Sequence, residues 1–261
     1  MNTVAIVGVG LIGGSFALAL RKAGFEGKII GVSSPATIAK AVERGVIDAA
    51  GSVADADLLY LSQPISQILE TLNALDTDAL ITDAGSTKAV ICERAKKLKR
   101  GRFIGGHPMA GKESRGVEHA DADLFRARPY VLTARDAELE KWIERIGARL
   151  VILDPQEHDR LVALVSHLPQ LLSTALAAAI GEDVGAAKLA GPAALDLTRL
   201  ALSPYEIWRD IFSTNAVPLD AALGAFIARL EELRTQLRTP EMERAFAAAS
   251  SSARALRTRL D

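Results

Sequence analysis

The strands stop at Asp154. Before it, short β-branched runs (TVAIVG, KIIGVS, DLLYLSQ, ALITDAG, RFIGG, PYVLTA and RLVILD) alternate with helix-like stretches such as Leu11 to Ala23, Pro35 to Glu43 and Thr87 to Lys97. Strands that are apolar throughout are buried on both faces, and strands separated by helices connect in parallel. The pattern predicts an α/β fold with a doubly wound, largely parallel sheet covered by helices on both sides. Beyond this point the periodicity changes. In DPQEHDRL, Asp154 suits an N-cap, Pro155 the first helical position and Glu157 the third residue of a capping box. From there to Asp261 the chain reads as helical, and Leu219, Leu223, Phe226, Leu230, Leu233 and Leu237 recur every three or four residues. We therefore expect an α/β domain over 1–154 and an all-helical domain over 155–261.

Composition narrows the function classes. Of 261 residues, 49% are hydrophobic, which supports a large core, and the formal net charge of −1 argues against a nucleic-acid partner. The one dense basic run, KKLKR from Lys96 to Arg100, falls at a helix end, where it complements the helix dipole. One cysteine, Cys92, excludes an internal disulfide and a cysteine-based metal site, and its place in KAVICERA suits an ordinary buried thiol. No histidine pair has the i, i+4 spacing of a helical metal site, so no metal is expected. The start MNTVAIVGVG lacks the features of a signal peptide. No unbroken apolar run approaches the ~18 residues that span a bilayer. We expect a cytoplasmic protein with no membrane partner.

The first strand runs into a glycine pattern, VAIVGVGLIGGS, in which Gly8, Gly10 and Gly13 form G-x-G-x-x-G between a strand and a helix. In that context the motif binds a dinucleotide. Gly8 permits the tight turn, Gly10 lets the backbone, with Leu11 and Ile12, approach the pyrophosphate, and Gly13 allows close helix–strand packing. The second strand ends in Ser33 and Ser34, with Thr37 and Lys40 following and no carboxylate before Glu43. An acid at this point would bind the ribose 2′-hydroxyl of NAD. Without one, NADP is favoured over NAD.

FIGGHPMAGKESRG places His107 between a glycine pair and a proline. Glycine flanks suggest that something approaches the backbone closely, and His107 is expected at the end of the RFIGG strand, on the edge where α/β sheets carry ligands. Its ordinary pKa near 6.5 suits a general base. Ser86, in TDAGSTK, ends the preceding strand on the same edge.

GVGLIGGS, TDAGSTK, GGHPMAGKESRG, EHDRLVALVSHLP and DLTRLALSPYEIWRDIF occur in the order and spacing of the prephenate/arogenate dehydrogenases, a family this chain resembles over almost its whole length. The resemblance implies a Rossmann-type domain followed by a helical dimerisation domain, a homodimer, and NAD(P)-dependent oxidative decarboxylation of prephenate or arogenate to 4-hydroxyphenylpyruvate or tyrosine. It also implies residue roles. His107 takes the proton of the ring 4-hydroxyl as hydride passes to the nicotinamide, and Ser86 bridges that hydroxyl and the cofactor. Arg199, in DLTR, binds a substrate carboxylate, Glu113 shapes the pocket mouth, and His167, in SHLP, faces the cleft from the helical domain.

Two departures stand out. Before Arg199 the chain reads GPAALDLTR, where the family often has a glycine-rich run, and Gln170 stands where many relatives have a second histidine, at the position expected to recognise the substrate side chain. A neutral amide there can donate to a ketone or accept from an amine, so both substrates are expected to be used. Taken by themselves, His158 reads as a solvated first-turn residue, His119 as a surface residue, and His167 as either a core histidine or a site residue. Two other readings remain: a β-hydroxyacid or imine reductase using Lys188, and a non-catalytic NADP-binding sensor. With no regulatory or mutase segment in view, a monofunctional enzyme is expected.

Overall fold

From Val4 onward every side chain of β1 (Thr3–Val7) is buried, although consecutive strand residues point to opposite faces. Val4 and Ile6 join an apolar cluster with Phe16, Leu20 and Tyr60, while Ala5 and Val7 join another with Leu59, Ile68 and Ile81. A sheet with an apolar layer on each face is what uninterrupted apolar strands require. The computed structural model describes residues 1–112 and 114–258.

Six strands form that sheet: β1, β2 (Lys28–Val32), β3 (Ala49–Ala50), β4 (Leu58–Leu61), β5 (Leu80–Asp83) and β6 (Arg102–Ile104). Their order is β3-β2-β1-β4-β5-β6, and every pairing is parallel. The order reverses between β1 and β4, so the crevice beyond their carboxyl ends is where such a sheet binds ligands. The helices α1 (Leu11–Lys22), α2 (Pro35–Glu43), α3 (Ile65–Ala74) and α4 (Ala89–Ala95) follow β1, β2, β4 and β5. The doubly wound sheet expected from the sequence is present.

The RFIGG strand is not one strand. β6 ends at Ile104, and β7 (Gly106–Pro108) starts a second sheet, antiparallel to β8 (Pro129–Leu132), which pairs in parallel with β9 (Arg149–Ile152). The glycine pair makes the transfer possible. A Cβ on Gly106 would lie 2.5 Å from the Asp83 carbonyl oxygen, and one on Gly105 would lie 2.9 Å from both Cys92 Sγ and Thr133 Oγ1. What approaches the backbone here is the protein's own β5 and the Thr133 side chain. α5 (Ala137–Arg145) joins β8 to β9.

The chain divides into two compact units, Met1–Val162 with Leu202–Thr214, and Ala163–Ala201 with Asn215–Asp261. The first adds to the sheets α6 (Pro155–Val162) and, after a return of the chain, α10 (Tyr205–Thr214). Asp154 caps α6 as expected, accepting from the Gln156 and Glu157 amides at 2.9 and 3.4 Å, whereas the Glu157 carboxylate is held by Arg160. The second unit opens with a π-helical turn, Ala163–His167, followed by α7 (Leu168–Gly181), α8 (Val184–Lys188), α9 (Pro192–Thr198), a 3₁₀ turn at Arg199–Leu202, α11 (Ala216–Gln236) and α12 (Glu241–Thr258). The helical run Pro155–Gly181 has an 18-residue window of mean hydropathy 1.5, long and apolar enough to cross a membrane by composition. Polar residues such as Ser166, His167 and Gln170 interrupt it, so it contains no unbroken apolar run of that length. A third of that window is buried, and the run carries the buried polar residues His158, Asp159, His167 and Gln170.

Candidate active site

Three glycines shape the crevice at the end of β1, each for a different reason. Gly8 has φ of 92°, and a Cβ there would meet Gln63 Cγ at 2.9 Å. A Cβ on Gly13 would strike Gly8 O and Ser62 Oγ at 2.4 Å, so α1 can lie against β1 only without one. A Cβ on Gly10 would meet nothing within 4 Å. Two glycines are spent on packing and one faces open space, which is the arrangement that lets a pyrophosphate approach the backbone at the start of a helix. The donor set fits a dinucleotide.

The crevice has two lobes. One, about 410 Å³, is lined by Gly8, Gly10, Ser33, Thr37 and Lys40 together with Glu118. Ser34 is occupied locally, because its Oγ caps α2 by accepting from the Thr37 amide at 3.3 Å. The other lobe, about 550 Å³, is lined by Gly10, Leu11, Ile12 and Ser86 together with Lys112, Arg115 and Asp210. Asp210 accepts from the Ser66 amide at 2.9 Å, which lowers its pKa against the opposing effect of burial. Ser86 therefore shares a cleft with the glycine loop. Glu113 lies outside the described residues.

His107 is the middle residue of β7 and is 9% exposed. Two buried charges hold the strand that carries it. Asp83 accepts from the Gly106 amide at 3.0 Å, and Lys88 donates to the Gly106 carbonyl at 2.7 Å while pairing with Asp83. Both side chains are fully buried, so each depends on the other and on these backbone groups for its hydrogen bonds.

Behind His107 runs a hydrogen-bonded chain. His107 Nδ1 lies 2.9 Å from His158 Nε2, His158 Nδ1 lies 2.7 Å from Asp159 Oδ1, and the Asp159 carboxylate accepts from the Lys88 and Ala89 amides at 2.6 and 2.9 Å. An ionised carboxylate only accepts, so with a single proton on its ring His158 donates from Nδ1 to Asp159 and accepts at Nε2. His107 therefore donates from Nδ1, which makes Nε2 its proton-accepting nitrogen.

His158 was expected to be solvated, and this is corrected: it is 0% exposed. It is buried because Asp159, one residue on, docks onto the amides that begin α4, which pulls the first turn of α6 inward. The signal was present in EHD, a histidine next to a carboxylate. His119 is exposed, as expected.

The second unit assembles His167, Gln170 and Arg199. His167 is 1% exposed, and its Nδ1 lies 3.0 Å from Asn215 Nδ2. An amide nitrogen only donates, so Nδ1 accepts and the proton sits on Nε2. Gln170 donates through Nε2 to the Leu200 carbonyl at 2.9 Å, and Ser173 Oγ accepts from the Ala201 amide at 3.0 Å. These two bonds fasten the turn that begins with Arg199 to α7. The donor half of the Gln170 amide is thus committed, and its buried Oε1 has no partner among the described residues. Lys188 is exposed at the end of the five-residue helix α8.

The remaining motifs have plain roles. Burial pushes the Cys92 thiol up to about 11, and it sits 3.8 Å from Thr133 Oγ1, an inert thiol at neutral pH. In the basic run, Lys96 pairs with Glu93, and Arg100 with Asp76 and Asp78. Among the described residues no cluster of ligands could hold a metal ion.

Comparison with known proteins agrees with this geometry. Residues 16–159 match the family model for the prephenate dehydrogenase nucleotide-binding domain, and residues 154–249 match the one for its dimerization domain. A prephenate dehydrogenase of Lactococcus lactis subsp. cremoris is 36% identical over 91% of this chain and 72% of its own length. The crystal structure of prephenate dehydrogenase from A. aeolicus, in complex with hydroxyphenyl propionate and NAD+, superposes with a TM-score of 0.87 at 32% identity, covering 100% of this chain and 99% of that one. Synechocystis arogenate dehydrogenase gives 0.83 at 32% identity, covering 97% and 99%.

Proposed function

This chain belongs to the prephenate dehydrogenase family, and from that premise we propose which of its residues carry the reaction. The protein is a homodimeric, nicotinamide-dependent oxidoreductase that oxidatively decarboxylates prephenate and/or arogenate in tyrosine biosynthesis. Exposed apolar side chains of the helical unit, such as Val184, Leu189, Val217 and Phe246, are in keeping with a dimer. The two family models exchange between residues 154 and 159, in keeping with a division at 154/155, whereas the compact units of the structure divide after Val162 and return Leu202–Thr214 to the first.

Gly8, Gly10, Leu11, Ile12 and Gly13 would hold the dinucleotide, with Ser33 and Ser34 near the adenosine ribose. Once bound, its nicotinamide supplies the hydride acceptor. His107 Nε2 takes the proton of the substrate 4-hydroxyl, and the imidazolium that forms is stabilised through His158 by the Asp159 carboxylate. Ser86 hydrogen-bonds the same hydroxyl. Arg199 pairs with a substrate carboxylate through its planar fork. His167 donates from Nε2 to the substrate, and Gln170 meets the substrate side chain with its oxygen, its nitrogen holding the Arg199 turn. Glu113 keeps its sequence-based place at the pocket mouth. For the finer choice of cofactor, β2 ending in serines supports NADP. A cytoplasmic location is part of the same reading.

The observation that carries this proposal is the buried His107–His158–Asp159 chain. It gives a histidine a fixed tautomer and a distant counter-charge, which neither a lysine-based reductase nor a non-catalytic sensor needs. The test is absorbance at 340 nm on mixing the protein with NADP+ or NAD+ and prephenate or arogenate. A rise is expected, and no rise in any of the four mixtures rejects the proposal.

A further inference from the structure

β2 brings no carboxylate to the dinucleotide crevice, but the folded chain does. Gly116, with φ of 93°, turns the backbone so that Val117 enters the core, and a Cβ on Gly14 of α1 would lie 3.4 Å from Val117 Cγ2. The next residue, Glu118, lines the same lobe as Ser33, Thr37 and Lys40. Arg44 Nη2 donates to the Glu118 carbonyl at 3.1 Å, and three residues on the Asp121 amide donates to Ser15 Oγ at 2.9 Å, so the backbone around Glu118 is tied to α2 and α1. Its carboxylate stands 3.9 Å from Lys40 Nζ and folds back over Gly116. Its own backbone amide and the Lys40 charge hold its pKa below the ordinary glutamate value, so it is ionised throughout the neutral range.

We propose that Glu118, paired with Lys40, decides which adenosine ribose the crevice accepts. The carboxylate stands in for the acid that β2 lacks and receives the 2′-hydroxyl of NAD, while Lys40 is the counter-charge that lets a 2′-phosphate be tolerated. The NADP preference supported by the serines of β2 is thereby held in check, and both cofactors bind. The inference rests on the nucleotide-binding reading of this crevice.

Equilibrium titration of the protein with NADP+ and with NAD+, without substrate, tests it. The ratio of the NAD+ to the NADP+ dissociation constant is compared in wild type, Glu118→Gln and Lys40→Met. One unit charge about 4 Å from a singly or doubly charged phosphate in watery surroundings changes binding by on the order of 5- to 30-fold. Glu118→Gln should raise the ratio by that order, Lys40→Met should lower it, and raising the salt concentration should shrink both effects. A ratio that stays within about twofold of wild type in both variants, with both nucleotides still bound, overturns the pair as selector and leaves the enzyme reading intact. If the wild type binds neither nucleotide, the dinucleotide reading falls and this inference falls with it.

Discussion

Two histidines in this chain are both buried, yet their surroundings prepare them for opposite tasks. His107 sits at the end of a chain of groups anchored on the Asp159 carboxylate, which sets its proton on Nδ1 and leaves Nε2 to accept. His167 takes a hydrogen bond from the Asn215 amide on Nδ1, which sets its proton on Nε2. The first is arranged as a base backed by a charge, the second as a neutral donor. Burial does not decide what a histidine does. The acceptor or donor placed against its inner nitrogen does, and that partner comes from another part of the chain in both cases.

The largest break in this comparison comes from removing the base. His107→Asn should lower kcat by about 10²–10⁴-fold, the usual worth of a positioned acid or base, with dinucleotide affinity nearly unchanged. Near-normal turnover in steady-state assays would take His107 out of the mechanism.

Cutting the chain behind it should cost less. His158→Ala removes the acceptor that fixes the His107 tautomer, and kcat should fall about 10- to 100-fold, the range seen when a group orienting a functional histidine is lost. Losing the carboxylate-backed partner also makes the His107 imidazolium harder to form. The acid limb of the kcat/KM profile, where His107 is protonated, should therefore move to lower pH. His158→Gln keeps an acceptor oxygen and should recover part of the rate. Equal loss in both variants with an unmoved limb would make His158 a packing residue only.

What could be read from the sequence was what depends on neighbours along the chain. The uses of Gly8, Gly10 and Gly13 follow from a strand, a turn and a helix in succession, and the structure gives each the surroundings its place in the motif demands. The cap at Asp154 is local too. What was missed depends on distant contacts. RFIGG has the composition of one strand, and only the approach of Asp83 and Thr133 to the glycines moves His107 into a second sheet. His158 looked solvated because nothing nearby in sequence buries it; the amides of Lys88 and Ala89 do so through Asp159, about 70 residues away. Glu118 reaches the crevice only through the fold, far along the chain from β2, where the motif places a ribose acid.

The smallest effect is the sharpest test of the donor role given to His167. Asn215→Asp replaces an amide donor with a carboxylate of the same shape. A carboxylate against Nδ1 favours the charged imidazole, so the His167 pKa should rise above its ordinary value. Below that raised pKa, the ring carries protons on both nitrogens, and Nε2 still donates to the substrate. Above it, the single remaining proton stays on Nδ1 beside the carboxylate, and Nε2 becomes an acceptor facing a group that needs a donor. KM for the substrate should therefore be close to wild type near pH 6 and rise about 5- to 10-fold towards pH 9, the worth of one hydrogen bond reversed, while kcat changes less than about threefold. In wild type, where Asn215 fixes the donor form, the same pH range should leave KM nearly flat. If KM in Asn215→Asp runs parallel to wild type across the whole range, His167 does not donate to the substrate, and the contrast between the two histidines reduces to one of packing.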